Sequence, residues 1–223
     1  MAPAQGASAH RGVPGLTPAL LTRPDAPRVI LASQSAARVR LLREAGLGFE
    51  ARPARLDEDA IKQAARAEGL DAVDTALMLA DAKAARIGRA EPGALVIGAD
   101  QMLVCDGIWF DKPADRDATA DQLRTLRGRT HELVTAVACH RHGDRIWHHV
   151  ARPRLTMRRF SDAFLDAYLS AEGDALLGSV GAYRLEGPGI HLFARVDGEF
   201  GAILGLPMIA LLDFLRGHGV VPA

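Results

Sequence analysis

The run LASQSAARVRLL, residues 31–42, ends an apolar stretch in two serines and then begins a helical pattern carrying arginines. Ser33 and Ser35 bring hydroxyl groups, and Arg38 brings a guanidinium that can grip two phosphate oxygens at once. At the start of a helix, where unpaired N–H groups and a partial positive charge gather, that set suits a phosphate. It equally suits a plain capped helix with a surface arginine, and no GK[ST] loop is present to sharpen it. Asp100, inside VIGADQMLV, is a second candidate. A carboxylate in an apolar run is costly unless it meets a cation, a metal or solvent. Gly98 and Ala99 beside it leave room for a ligand.

Other charges stand near enough in pattern to join these. Asp57-Glu58-Asp59 reads as a helix cap or as a source of a hard-metal carboxylate. Lys83 sits in the alanine-rich ADAKAAR, and Lys112 in FDKP beside a stiffening proline. Each alone is a solvated side chain as readily as a site. His140, His142 and His148 flank one expected turn, but these are also ordinary positions for exposed polar groups, and no structural zinc is expected there. No G-x-S-x-G elbow for acyl transfer occurs.

The elements that must position these groups follow from periodicity. RVILAS (28–33) reads as a short buried strand, followed by a helix from Ala36 to Ala45 that Gly46 stops. Residues 58–68 and 72–88 read as two further helices. In ALVIGADQMLVCDGIWFDKP (94–113), Asp106-Gly107 marks a hairpin, with Asp100 expected to interrupt its first strand. Residues 117–127 read as a helix, and residues 130–160 as two long strands around a Gly143-Asp144 turn. Ser161 should cap the next helix, IHLFARV (190–196) should be a strand, and Pro207 should lie in the first turn of a last helix. Interleaved helices, strands and hairpins predict an α/β class with a mixed sheet.

The 223-residue chain, 48% hydrophobic, can bury a sizeable core as one domain. Its 27 basic and 27 acidic residues balance, which argues against a general nucleic-acid binder. Cys105 and Cys139 fall in apolar strands, so free buried thiols in a reducing compartment are expected. No apolar run approaches the length of a membrane span. Residues 1–27, rich in Ala, Pro and Gly, are expected to be a disordered extension, 28–217 the folded domain, and 218–223 a C-terminal tail.

Taken in order, LASQSAAR (31–38), LDE (56–58), AKA (82–84), GADQ (98–101), DKP (111–113), LRGRTHELVT (126–135), VGAYRLEGPGI (180–190) and GLPMIALLDFL (205–215) resemble the Maf family of nucleoside-triphosphate pyrophosphatases. The resemblance implies a Maf/ITPase-like α/β fold: an elongated mixed sheet flanked by helices, two lobes around a central cleft, in a cytoplasmic homodimer. It implies cleavage between the α and β phosphates of a nucleoside triphosphate, with a divalent cation, Mg²⁺ or Mn²⁺. Carried onto this sequence, it makes Asp100, Lys83 and Lys112 catalytic, and Ser33, Ser35, Arg38, Gln101, Arg184 and Glu186 substrate-binding. Glu58 and Asp100 become the metal ligands, with Asp100 alternatively the base that orients water. Ala36 and Ala37 depart from the family's Pro followed by Arg or an aromatic residue.

Gln101 and Glu186 resemble the branch of the family that acts on 7-methyl-GTP. Methylation at N7 makes guanine cationic, and a carboxylate at Glu186 can accept from its N1–H and N2–H₂ edge. Two alternatives stand beside this expectation. One is a dTTP/UTP pyrophosphatase of the same family. The other is a non-enzymatic nucleotide-binding regulator linked to cell division.

Overall fold

The computed structural model describes residues 21–222. Strands β1 (Val29–Leu31), β2 (Glu50–Ala51), β3 (Leu95–Cys105), β4 (Ile108–Phe110), β5 (Thr130–Arg141), β6 (Asp144–Ala151), β7 (Arg154–Met157) and β8 (Phe193–Asp197) form one mixed sheet. Its main path runs β2-β1-β3-β5-β7-β8, with β4 beside β3 and β6 beside β5. β1 lies parallel to both its neighbours, whereas the remaining pairs are antiparallel. The helices are α1 (Ala36–Glu44), α2 (Glu58–Ala67), α3 (Ala72–Gly88), α4 (Arg116–Leu126), α5 (Asp162–Glu172), α6 (Phe200–Ile203) and α7 (Met208–Gly217). Among the described residues, no helix is long and apolar enough to cross a membrane.

The sheet is a spine with a core at each end. At one end Leu31, Leu95 and Ile97 pack with Leu42 of α1 and Leu211 and Leu215 of α7. At the other, Leu103, Leu133 and Leu155 pack with Leu123 of α4 and Leu165 of α5. Helix α3 lies directly on the middle of the sheet. Its run of alanines and the glycine in β3 permit that approach: a Cβ built on Gly98 would stand 2.1 Å from the Ala80 carbonyl oxygen.

Most expected elements fall where the patterns put them, and the exceptions have physical causes. β3 runs unbroken through Asp100, because that carboxylate finds a cation and need not leave the strand. The second long strand after residue 143 is two strands, β6 and β7, separated at Arg152-Pro153, where proline cannot donate to a ladder. The expected strand 190–196 opens instead as a single-turn helix, Pro188–Leu192, with β8 starting only at Phe193. Pro207 occupies the cap position of α7 rather than its first turn.

The ends of the folded body also extend past the expected limits. Leu21 and Arg23 donate backbone hydrogen bonds to Gly46 and Val220, so chain packed on the body begins before residue 28; residues 1–20 of the expected extension lie outside the described range. Val220 and Val221 of the expected tail are buried in the core. Cys105 and Cys139 are both free and buried.

Candidate active site

A cleft of about 1200 Å³ opens along the sheet, and Ser33, Ser35, Arg38, Glu58, Lys83, Asp100, Gln101, Lys112, Arg184 and Glu186 all lie on its wall. One wall is the β1–α1 turn. Ser35 caps α1, its Oγ accepting from the Arg38 amide at 3.4 Å. The Oγ of Ser33 accepts from the Ser35 amide and from Arg38 Nη1, at 3.2 and 3.3 Å. Arg38 Nε donates to the Gly205 carbonyl at 2.8 Å. Gly205 has φ of +102°, and a Cβ there would stand 3.1 Å from Arg38 Nε, so the α6–α7 connection is shaped around this guanidinium. Burial lowers the pKa of Arg38, against the opposing charges of Asp100 and Glu58. Arginine has ample margin to stay charged.

The floor is an ion triplet. Lys83 Nζ lies 2.6 Å from Asp100 Oδ1 and 2.9 Å from Glu58 Oε1. Lys83 and Asp100 are buried, while the Glu58 side chain is 43% exposed. The close approach of α3 at Gly98 is what delivers Lys83 to Asp100, two residues on in β3. Asp57 caps α2 through the Ala60 amide, which leaves Glu58 free to turn into the cleft. Burial works to raise the Glu58 carboxyl, but Lys83, then Lys112 and Lys62, hold it below its ordinary value. Asp100 Oδ2 is buried with no hydrogen-bond partner among the described residues. Lys112 stays on the exposed rim, acting on Glu58 through its charge.

Asp100 and Gln101 are adjacent in one strand and so point to opposite faces. The Gln101 amide nitrogen donates to Thr135 Oγ1 and to the carbonyls of Ala202 and Ile203, at 2.8, 2.9 and 3.1 Å. It therefore fixes α6, and through the α6–α7 connection the partner of Arg38; only its carbonyl oxygen is left for a ligand.

The opposite wall is the loop 178–187. Tyr183 anchors it, its hydroxyl 2.8 Å from Nε2 of the buried His131. Burial lowers the His131 pKa to about 4, so the ring is neutral at ordinary pH. Glu186 meets Arg40 Nη2 at 3.1 Å, whereas Arg184 Nε stands 3.8 Å away and turns its other arm to Glu172 at 3.2 Å. One oxygen of Glu186 is thus engaged across the cleft and the other is open.

Sequence reasoning passed over four cations on the same walls: Arg40, Arg55, Lys62 and Arg66, the last lying over the Trp109 ring at 4.8 Å. Lys62 pairs with Asp111 at 2.6 Å. Although burial alone would lower it, its pKa is raised by Asp111, with Asp100 and Glu58 assisting. Its spacing of four from Glu58 on one helix face was the available signal. Arg40 and Arg55 carried none. Among the described residues no three His, Cys, Asp or Glu side chains converge as a metal cage. His140 Nε2 donates to Asp81 Oδ1 at 2.8 Å, and His142 lies in the β5–β6 turn.

The chain's likenesses agree with a phosphate-handling cleft. A family model described as "Maf-like protein" matches residues 28–218. The nucleoside triphosphate pyrophosphatase of Granulibacter bethesdensis is 55% identical over 191 residues, covering 86% of this chain and 97% of that one. That of Paramagnetospirillum magneticum is 53% identical, covering 85% and 98%. The 7-methyl-GTP pyrophosphatase of Rhizobium meliloti is 46% identical over 197 residues, covering 88% and 99%.

Proposed function

The chain belongs to the Maf-like protein family, and on that premise we infer that it is a nucleoside-triphosphate pyrophosphatase whose preferred substrate is 7-methyl-GTP. The observation that carries the reaction is the triplet Lys83–Asp100–Glu58 beneath the capped start of α1. Hydrolysis of a phosphoanhydride needs positioning and charge neutralisation more than covalent help. Water's oxygen bonds to the α phosphorus as the bond from that phosphorus to the bridging oxygen breaks, and the pair of electrons leaves with pyrophosphate.

Each residue has a part in that step. Ser33, Ser35, Arg38 and the first amides of α1 receive phosphate oxygens. Asp100 Oδ1 is held by Lys83, so the unpartnered Oδ2 is the atom that orients the attacking water and accepts its proton. Lys83 holds the Asp100 carboxylate in place through their ion pair, and Lys112 faces the departing pyrophosphate from the rim. The site also suits a divalent cation, since the exposed carboxylate of Glu58 is a hard oxygen donor and Asp100 Oδ2 would be a second in the alternative where it binds the ion rather than acting as base. With at most two carboxylates, the ion's remaining ligands would be phosphate oxygens and water. When bound, it supplies charge neutralisation at the phosphates.

For the base, Glu186 offers its open oxygen to the donor edge of guanine, with Arg184 alongside in the same loop. The resemblance to the 7-methyl-GTP branch at Gln101 and Glu186 supports this choice over dTTP or UTP. The same reading takes the protein to be a cytoplasmic homodimer, as the family resemblance implies. A regulator without turnover would have little need of a buried lysine poised between two carboxylates. Asp100→Asn tests the reaction directly. We expect nucleotide binding retained and pyrophosphate release reduced at least about 100-fold; unchanged turnover would refute the assignment.

A further inference from the structure

Among the described residues, four other than glycine have left-handed backbones: Arg55, Asp106, His142 and Ala182, with φ between +47° and +55°. Asp106 and His142 belong to the tight turns of the β3–β4 and β5–β6 hairpins, which require such angles. Arg55 and Ala182 have no hairpin to account for them. Both lie in connections at the cleft, Arg55 in the segment from β2 to α2 and Ala182 in the loop 178–187. Strained backbone persists only where its surroundings over-determine it, and it gathers at ligand sites.

The surroundings of Arg55 do over-determine it. Ala54 is buried against Ile30 and Ala32, and Leu56 packs on the same cluster. With both neighbours turned inward, and Asp57 committed to capping α2, Arg55 is left facing the cleft. Its guanidinium forms no hydrogen bond or ion pair among the described residues, although Arg40, Lys62 and Lys83 on the same walls each hold a carboxylate. An arginine kept at a strained position, exposed and unpaired among the described residues on the wall of the cleft, is suited to an anion that arrives from solvent.

We propose that Arg55 is a triphosphate-binding residue, contacting the phosphate chain from the β2–α2 side, opposite Arg38. The proposal rests on the pyrophosphatase reading only in its choice of ligand, and inorganic tripolyphosphate tests it without turnover. Wild type, Arg55→Ala, Arg55→Gly and Arg55→Lys would be titrated calorimetrically with tripolyphosphate and assayed for KM and kcat on the nucleotide that wild type hydrolyses best. Glycine adopts the left-handed conformation freely, so Arg55→Gly should melt no lower than wild type. Loss of binding in that variant therefore cannot be unfolding.

Arg55→Ala and Arg55→Gly should each weaken tripolyphosphate binding about tenfold, the size of one lost charge-assisted hydrogen bond. KM should rise in parallel with kcat within about twofold, and Arg55→Lys should recover part of the loss. Tripolyphosphate binding within twofold of wild type in both truncations would overturn the proposal, and so would failure of wild type to bind tripolyphosphate. Weakened binding in a wild-type background that hydrolyses no nucleotide would sustain Arg55 as an anion contact while removing the enzymatic reading.

Discussion

Lys83 Nζ lies 2.6 Å from Asp100 Oδ1, with both side chains more than nine-tenths buried. Removing one member of a buried pair leaves the other charge without compensation, at a cost of about 3–5 kcal/mol. Lys83→Met should therefore lower stability by roughly that amount, read from the denaturant midpoint, and abolish pyrophosphate release. Glu58 still faces the cleft in this variant, but without its nearest cation its carboxyl should titrate higher. A Lys83→Met protein with wild-type midpoint and wild-type turnover would contradict the triplet's role.

The approach of α3 to β3 leaves no room at Gly98. An added Cβ would stand 2.1 Å from the Ala80 oxygen and 2.7 Å from the Ala84 nitrogen, and both are backbone atoms that cannot turn aside. Gly98→Ala should cost more than the roughly 1–3 kcal/mol of ordinary overpacking. Where the protein still folds, activity should fall as well, because the shift moves Lys83 away from Asp100. Retention of full activity with a midpoint near wild type would show that the helix can slide without moving its lysine.

His131 gives a pH dependence of known sign. Its folded pKa is lowered to about 4 by burial, while the unfolded chain protonates near the ordinary value of about 6.5. Between those values the unfolded state binds the extra proton, so stability present above about pH 6.5 is lost as pH falls toward 4. The loss should be roughly 2–4 kcal/mol across that window. His131→Gln should flatten this slope, measured by urea unfolding at several pH values. It should also loosen Tyr183 and with it the loop that carries Arg184 and Glu186, seen as a higher KM. An unchanged slope would place the titration elsewhere.

What could be read in advance, and what could not, divides along physical lines. Hairpins at Asp106-Gly107 and Gly143, helix caps at Ser35 and Ser161, and the cleft membership of Lys83, Asp100 and Glu58 were legible because local turn chemistry, capping groups and ordered motifs signal them. The local pattern reads Asp100 as a break in its strand, because the lysine that pairs with it comes from α3, seventeen positions away. The second hydrogen-bonding duty of Gln101 was hidden for the same reason: its acceptors at Ala202 and Ile203 are remote in sequence. Arg40 meets Glu186 across 146 positions, a pairing that no local pattern announces. Arg55 needed a backbone angle to be noticed at all.

The central claim is a pyrophosphatase whose loop carboxylate reads the base. The most direct measurement is pyrophosphate release from 7-methyl-GTP, GTP, dTTP, UTP and CTP, with Mg²⁺ or Mn²⁺, for wild type and Glu186→Gln. The account predicts that wild type prefers 7-methyl-GTP and that Glu186→Gln loses that preference by about tenfold or more, the worth of a charge-assisted hydrogen bond. Wild-type preference for dTTP or UTP, or a preference for 7-methyl-GTP that survives Glu186→Gln, would contradict the base reading; no release from any nucleotide with either cation would contradict the enzyme itself.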